Sequence, residues 1–434
     1  MRFALLCVTS ATLYGQAAPD PNAVLEQART RLQAMAHNLE KYVCAENVNR
    51  SYYQRVTPAE APAHPDAPAL CGPASGGGAR LLESTDRVRL EVTLSDGREL
   101  HSWPGATRFD TRNVDELIRD GPVSTGSFGG DLAGIFGGAG VSFRYLGPQT
   151  VDGKTLFEYH YQVPVEASRF QIKVSGAWVP APYEGEFRID PQTFQLDSMT
   201  LRTNQLPAAA AFCAASTALA YQYARVGETE ILLPRQSQLD IDLKSGRETR
   251  NLTTFSSCRE YQAESEIVFE SAPEPGAKVA QAAPRPRVAL PIGLPVLLAL
   301  TAPIDTATAS AGDAVSAKLV KPVRRLGTNE ELIPAGATVH GRIRRVERHL
   351  LPSPYFLVAI AFNRVDVQGT LSPFFAHSDP NPDVAKELGA NLAMRDTGIW
   401  FWGVGTFLFP SSKDHMVIPA GYETKWFTLS TTGR

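Results

Sequence analysis

The sequence predicts a mainly β protein, in which an N-terminal helix lies on an open antiparallel half-barrel and a linker leads to a second small β-barrel or sandwich. Three observations carry this prediction. Strand-like segments alternate apolar and polar residues around two-residue turns, a single amphipathic helix is confined to the N-terminal end, and one proline–glycine corner recurs three times in the last third. With 434 residues, 43% of them hydrophobic and 20% charged, the chain is long enough for two or three domains, each with its own core. Its 45 Asp+Glu nearly balance 42 Lys+Arg, for a net charge of -3, so the basic excess of a nucleic-acid or anionic-membrane binder is missing and no nucleic-acid partner is expected. Collagen-like, coiled-coil and disordered classes are excluded too, because the 34 Gly and 32 Pro follow no short period.

Met1-Arg2, the apolar run Phe3 to Tyr14 and the small-residue site Gly15-Gln16-Ala17 read as a signal peptide over 1–17, cleaved after Ala17. A buried N-terminal strand or helix is the alternative. The run is shorter than the ~20 apolar residues that span a bilayer, as are the later stretches Gly293–Leu300 and Ile399–Phe409, so no transmembrane span is expected after processing. The predicted residence is periplasmic or secreted. Cleavage removes Cys7 and leaves Cys44, Cys71, Cys213 and Cys258, for which oxidation allows three pairings. Cys44 with Cys258 is the favoured bridge, since both lie on segments that read as terminal strands of the first domain, whose ends can approach in a curved open sheet. Cys71 and Cys213, both in Ala/Gly/Pro-rich connections, are candidates for a second bridge, and free buried thiols are the alternative. No spacing is a zinc signature, and no metal is expected.

In the first domain (18–271), Asp20-Pro21 supplies a helix cap and a first-turn proline, and Leu25, Ala28, Leu32, Met35, Leu39 and Tyr42 follow as one packing stripe. From Arg87 to Leu94 the period becomes two, with Val88, Leu90, Val92 and Leu94 on one face. Asp96-Gly97, Asp152-Gly153 and Ser245-Gly246 each separate two such segments, which gives hairpins in chain order and an antiparallel meander. Two stretches interrupt the pattern. Residues 57–79 read as a Pro/Ala/Gly-rich loop, and Gly-rich 122–140 surrounds the apolar segment of Leu132, Ile135 and Phe136, a candidate lid over the concave mouth or a plain surface loop.

Tyr183-Glu184-Gly185-Glu186-Phe187-Arg188-Ile189-Asp190, then Pro191-Gln192-Thr193, Leu206-Pro207, Tyr221 and Tyr223, and Leu232-Leu233-Pro234 form a pattern that resembles the periplasmic lipoprotein-carrier and outer-membrane lipoprotein-sorting superfamily over about residues 20–270. The resemblance implies an unclosed, helix-plugged β-barrel whose apolar interior shelters acyl chains, with a lipid or lipidated protein as partner. Tyr42-Val43-Cys44 with Cys258-Arg259-Glu260-Tyr261 resembles uncharacterised secreted bacterial proteins and implies no activity.

Residues 272–289 concentrate Pro and Ala and read as a semi-stiff linker into a second β domain over 290–434. There Leu290-Pro291-Ile292-Gly293, Ile333-Pro334-Ala335-Gly336 and Ile418-Pro419-Ala420-Gly421 each precede a strand. With Asp305–Leu319 and Gly341-Arg342-Ile343, the repeat resembles the C-terminal β-barrel of conjugation and type IV secretion channel proteins, which implies a barrel able to assemble with an envelope protein partner. The basic run His340, Arg342, Arg344, Arg345, Arg348 and His349 reads as a solvated strand face, with an anionic partner as the alternative. Ile399-Trp400-Phe401-Trp402 and Phe407-Leu408-Phe409 read as core strands.

Reaction chemistry has no foothold. Gly153-Lys154-Thr155 lacks the upstream glycine of a phosphate loop, Ser127 lacks a local base, and the polar group His377, Ser378, Asp379 and Asp383 is broken by Pro380 and Pro382. No enzyme activity and no cofactor are therefore expected. The functional expectation is an exported envelope protein that binds an apolar ligand or lipidated protein in the first domain and docks through the second; an assembly module that binds partners by strand edges is the alternative.

Overall fold

The computed structural model describes residues 19–55, 80–106, 108–109, 114–118, 121–123, 125–203, 205–261, 290–389 and 403–429. The cleavage site at Ala17, the loop with Cys71, the 272–289 linker and Ile399–Trp402 lie outside the described residues.

Helix α1 (Pro21–Leu39) begins where the Asp20 carboxylate accepts the Asn22 N–H at 3.2 Å and Pro21 fills the first turn. Val24, Ala28, Leu32, Ala36 and Leu39 recur at steps of four and three, so they share one face, and all are buried. Leu25 and Met35 flank that face half-buried, while Tyr42 already belongs to the first strand.

The first half continues with β1 (Tyr42–Arg55), β2 (Arg80–Ser95), β3 (Arg98–Ser102), α2 (Val114–Leu117) and α3 (Gly130–Gly137). After these come β4 (Ser142–Val151), β5 (Lys154–Val163), β6 (Gln171–Val174), β7 (Ala177–Pro180), β8 (Tyr183–Ile189) and β9 (Leu196–Thr203). The long strands β10 (Phe212–Val226), β11 (Thr229–Leu243) and β12 (Arg247–Glu260) complete this half. Antiparallel ladders order the main sheet β3-β2-β1-β12-β11-β10-β9-β8-β5-β4, and β6 pairs with β7 as a separate hairpin. Its end strands β3 and β4 do not pair with each other among the described residues, so the sheet is not closed into a barrel. The turns that fix its register behave as the sequence predicts. Asp96 and Gly97 have φ of 51° and 70°, and Asp152 and Gly153 have 48° and 78°, the double positive φ that matches a tight turn to strand twist. Val88, Leu90, Val92 and Leu94 all point into the core.

Cys44 is bonded to Cys258 with a Cα–Cα distance of 4.0 Å. The expected pair is present, but its geometric rationale differs from the one read in the sequence. β1 and β12 are direct neighbours inside the sheet rather than strands at its two ends, and Cys44 occupies an irregularity in their ladder between Val43 and Ala45. Cys213 is also disulfide-bonded.

The second half comprises β13 (Pro295–Leu300), β14 (Ile304–Asp305), β15 (Ala314–Leu319), β16 (Val323–Arg324), β17 (Glu331–Ile333), β18 (Thr338–His349) and β19 (Tyr355–Val367). It ends with β20 (Thr370–Pro373), β21 (Ala376–His377), α4 (Pro382–Glu387), β22 (Val404–Pro410), β23 (Val417–Ile418) and β24 (Glu423–Thr428). The ladder β22-β19-β18-β15-β13-β24-β21 curls around Leu298, Val339, Phe362 and Trp426, and a bridge between Ser378 and Gly405 links its two ends. The three repeated corners adopt one conformation. Gly293, Gly336 and Gly421 have φ of 79°, 80° and 79°, and their N–H groups donate to Thr428, Leu319 and Leu300, each the last residue of a strand. Leu290, Ile333 and Ile418, three residues earlier in each case, are buried, so one short pattern anchors, turns and launches a strand three times.

The halves are more than tethered. Ser84, Thr85 and Asp86 of β2 pair with His349, Arg348 and Glu347 of β18, and Val88 bridges to Ala311, so one sheet runs through both. This seam corrects the reading of the basic run as a solvated face. An irregularity between Ile343 and Arg345 shifts the register of β18, and a one-residue shift exchanges strand faces. Arg345 is thereby turned inward at 6% exposure, 2.6 Å from the Glu347 carboxylate, which also holds His349 at 2.8 Å. Glu347 lies directly opposite Asp86, whose carboxylate takes Arg50 at 2.6 and 2.8 Å and the Tyr52 hydroxyl at 3.1 Å. Each carboxylate thus has its own arginine, which offsets the cost of burying two like charges side by side. Burial alone would raise the Glu347 pKa, yet Arg345 and His349 hold it well below the ordinary carboxylate range.

Candidate functional site

The concave face of the open sheet is lined with aromatic rings. Tyr159 stacks on Phe187 at 5.2 Å, Phe136 meets Phe187 edge-on at 5.0 Å, and Tyr145 lies 5.1 Å from Phe157 and 5.3 Å from Tyr159. Alternation in β5 and β8 puts these side chains on one surface, because neighbouring strands in register present the same face. Helices α1 and α3 lie in this concavity. Tyr159 donates to the Pro21 carbonyl at 2.8 Å, and Gln33 of α1 donates to the Phe136 carbonyl of α3 at 2.6 Å, so the sheet and both helices are pinned together.

The three residues singled out as a lid, Leu132, Ile135 and Phe136, are placed in α3 at 0% exposure, against Leu32 and Ala36 of α1 and the aromatic wall. The glycines around them reflect close packing. A side chain at Gly129 would come within 2.9 Å of Leu39, so glycine lets this segment approach α1.

Beneath α3 lies a polar cluster that no local motif announces. The Glu99 carboxylate accepts N–H groups of Gly126, Gly129 and Gly130 at 2.6, 3.0 and 3.3 Å, gripping the turn from which α3 starts. His101, on the same strand, has Nε2 3.2 Å from the Glu46 carboxylate, and the two are only 3% and 2% exposed. Burial works to lower the His101 pKa, but Glu46 and Glu99 outweigh it and the net direction is up. Asp131, in the first turn of α3, is pushed up to about 8 by burial and by the Glu99 charge. The Tyr221 hydroxyl is buried nearby without a hydrogen-bond partner among the described residues. Chemically, this is a sealed arrangement: Glu99 is committed to backbone N–H groups, and the His101–Glu46 pair meets almost no solvent. Glu46, Glu99, His101 and Asp131 come from three separate segments, which is why sequence spacing missed them.

An opening into the aromatic face does exist. A cleft of 770 Å³ lies where α1 begins, walled by Pro21, Tyr145, Pro148, Phe157 and Pro191, with Lys154 on its lining. Phe157 belongs both to this cleft and to the core beneath the helices. The other polar candidates stay apart. Gly153-Lys154-Thr155 is a hairpin turn entering β5, the His377 ring lies 5.9 Å from that of Phe427, Ser378 lies in the bridge to Gly405 and Asp383 lies in the first turn of α4. Among the described residues no group of three His, Cys, Asp or Glu could hold a metal ion, and no helix is long and apolar enough to cross a membrane.

No protein-family model matches the sequence, and no curated protein matches it. Solved structures similar to it include a putative outer membrane lipoprotein-sorting protein domain from Vibrio parahaemolyticus, at 9% identity and TM-score 0.29, over 57% of this chain and 96% of that one. A LolA superfamily protein from Nitrosomonas europaea is similar at 10% identity and TM-score 0.26, over 54% and 94% of the two chains. ComB10 of the Com type IV secretion system of Helicobacter pylori is similar at 14% identity and TM-score 0.19, over 33% of this chain and 88% of that one.

Proposed function

We propose that the chain is a non-enzymatic, exported envelope protein whose first unit, residues 18–271, binds an apolar chain, such as the acyl group of a lipid or lipidated protein, in its open sheet. The observation that carries this reading is the continuity, through Phe157, between the apolar cleft at the start of α1 and the aromatic face under both helices. Pockets with apolar walls and few polar groups suit such ligands. In this reading α3 is the lid: it has only eight residues, and one carboxylate, that of Glu99, holds its start. Displacing it would uncover Leu132, Ile135 and Phe136 together with the rings beneath them. The second unit, residues 290–434, would dock to an envelope partner. Assembly by strand edges is the second reading, and β4 favours it, because among the described residues it pairs only with β5 and none of its residues is fully buried.

The test is native mass spectrometry with lipid extraction on protein purified from its own cells, followed by titration with a fluorescent fatty acid. Retained or saturable binding, weakened at least tenfold by Tyr145→Glu in a protein of unchanged circular dichroism, is the expected result. A folded protein that neither retains nor takes up an apolar chain overturns the reading.

A further inference from the structure

A second concavity lies in the other half of the molecule, next to the seam. It has a volume of 540 Å³ and is built on the exposed face of the three-stranded ladder β15-β18-β19. Pairing sets a row across these strands, with Ser316 opposite His340 and His340 opposite Arg364. Arg342 lines the same cleft from the next row, where its ladder partners Ala314 and Ala361 are both small.

The two arginines of this cleft face each other's charge across it. Arg50, Arg89, Arg188, Arg250 and Arg345 each have a carboxylate within 4 Å, whereas no salt bridge reaches Arg342 or Arg364 among the described residues. Arg342 makes one hydrogen bond, to the Gly312 carbonyl at 2.8 Å, and Arg364 makes none among the described residues. The nearest acid on the lining, Asp313, is already used, one oxygen by Arg89 at 2.6 Å and the other by the Ser310 N–H at 2.9 Å. Asp305, also on the lining, accepts the Ala307 N–H at 2.8 Å. Burial first, and then the neighbouring Arg364 charge, move the Arg342 pKa down, against the opposing pull of Glu91 and Asp313, which are themselves engaged by Arg259 and Arg89. Like charges on adjacent strands cost stability, and guanidinium groups present paired N–H donors that fit the oxygens of an oxyanion.

We infer that this cleft is an oxyanion site in which Arg342 and Arg364 clamp a phosphate group, with His340 beside them on the same strand row. The phosphate is either a free ion or the headgroup of an anionic lipid. The site is independent of the apolar cleft and stands whether or not that cleft binds a ligand.

The test is to titrate the full chain with inorganic phosphate by calorimetry at low ionic strength, and to measure co-sedimentation with vesicles of pure phosphatidylcholine or with added phosphatidylglycerol. Arg364 is exposed, so Arg364→Gln leaves the fold intact, and Arg342→Gln serves as the second variant. Saturable phosphate binding that either substitution weakens at least tenfold supports a free-ion site. Binding confined to phosphatidylglycerol vesicles with the same sensitivity supports a headgroup site. Failure to bind either probe overturns the inference, as does binding that both variants leave unchanged.

Discussion

The two halves of the molecule fill curved sheets in different ways. In the first, ten strands stay open and the concave face is covered by separate parts, α1 and α3. In the second, the ladder curls until its ends meet at the Ser378–Gly405 bridge, and side chains of the strands themselves fill the interior. A filler that is a separate helix can leave without unpairing a strand, whereas one made of strand side chains cannot. The proposed apolar guest therefore has a place to enter only where the filler is separate, in the first half.

The sharpest way to break this comparison is to hollow out the second core. Trp426 is fully buried, packs against Phe362 and Phe407 at 5.1 and 5.7 Å, and leaves no room for a Cβ at Gly405. Trp426→Ala should cost about 3–5 kcal/mol in denaturant unfolding. An equal loss with no change in fatty-acid binding would separate the two halves functionally.

Next comes the seam. Glu347→Ala leaves Arg345 buried without its carboxylate, a change worth roughly 3–4 kcal/mol, and calorimetry should show one thermal transition dividing into two if the seam couples the halves. Within the first half, replacing Cys44 and Cys258 together by alanine releases a link across 214 residues and should cost about 2–4 kcal/mol; combined with Glu347→Ala, it should lower one of the two separated transitions and spare the other.

The effect that depends on pH concerns the helix proposed as a lid. With its pKa at about 8 against an ordinary 3.8, the Asp131 carboxyl keeps its proton in the folded state while the unfolded chain loses it. Stability from this group is therefore lost as pH rises from about 4 to about 8, and is level outside that window. Asp131→Asn should remove that slope and stabilise the protein at pH 8 more than at pH 5, measured as unfolding midpoints across pH.

What the sequence disclosed was local. Alternation from Val88 to Leu94, the Asp-Gly turns and the three Pro-x-Gly corners are each short-range patterns, and each has the geometry expected of it. What it concealed depends on register or on distant segments meeting. Nothing in Arg342–His349 reveals the irregularity that turns Arg345 inward, since a strand's faces are defined only once its partners are known. The density of glycine from 122 to 140 suggested a loop, but part of it marks where α3 presses against Leu39. The polar cluster under α3 and the paired arginines of the second cleft arise where strands from separate segments align, which spacing within one segment does not encode.

The seam also has a consequence in time. A ribosome releases Ser84–Asp86 more than 250 residues before Glu347–His349, so the newborn first half waits with one flank of β2 bare. Bare flanks recruit neighbouring chains into aggregates, and only arrival of the last third ends that exposure. Truncation before residue 347 should therefore yield a sticky, poorly soluble product rather than a smaller version of the same protein, whatever the ligand.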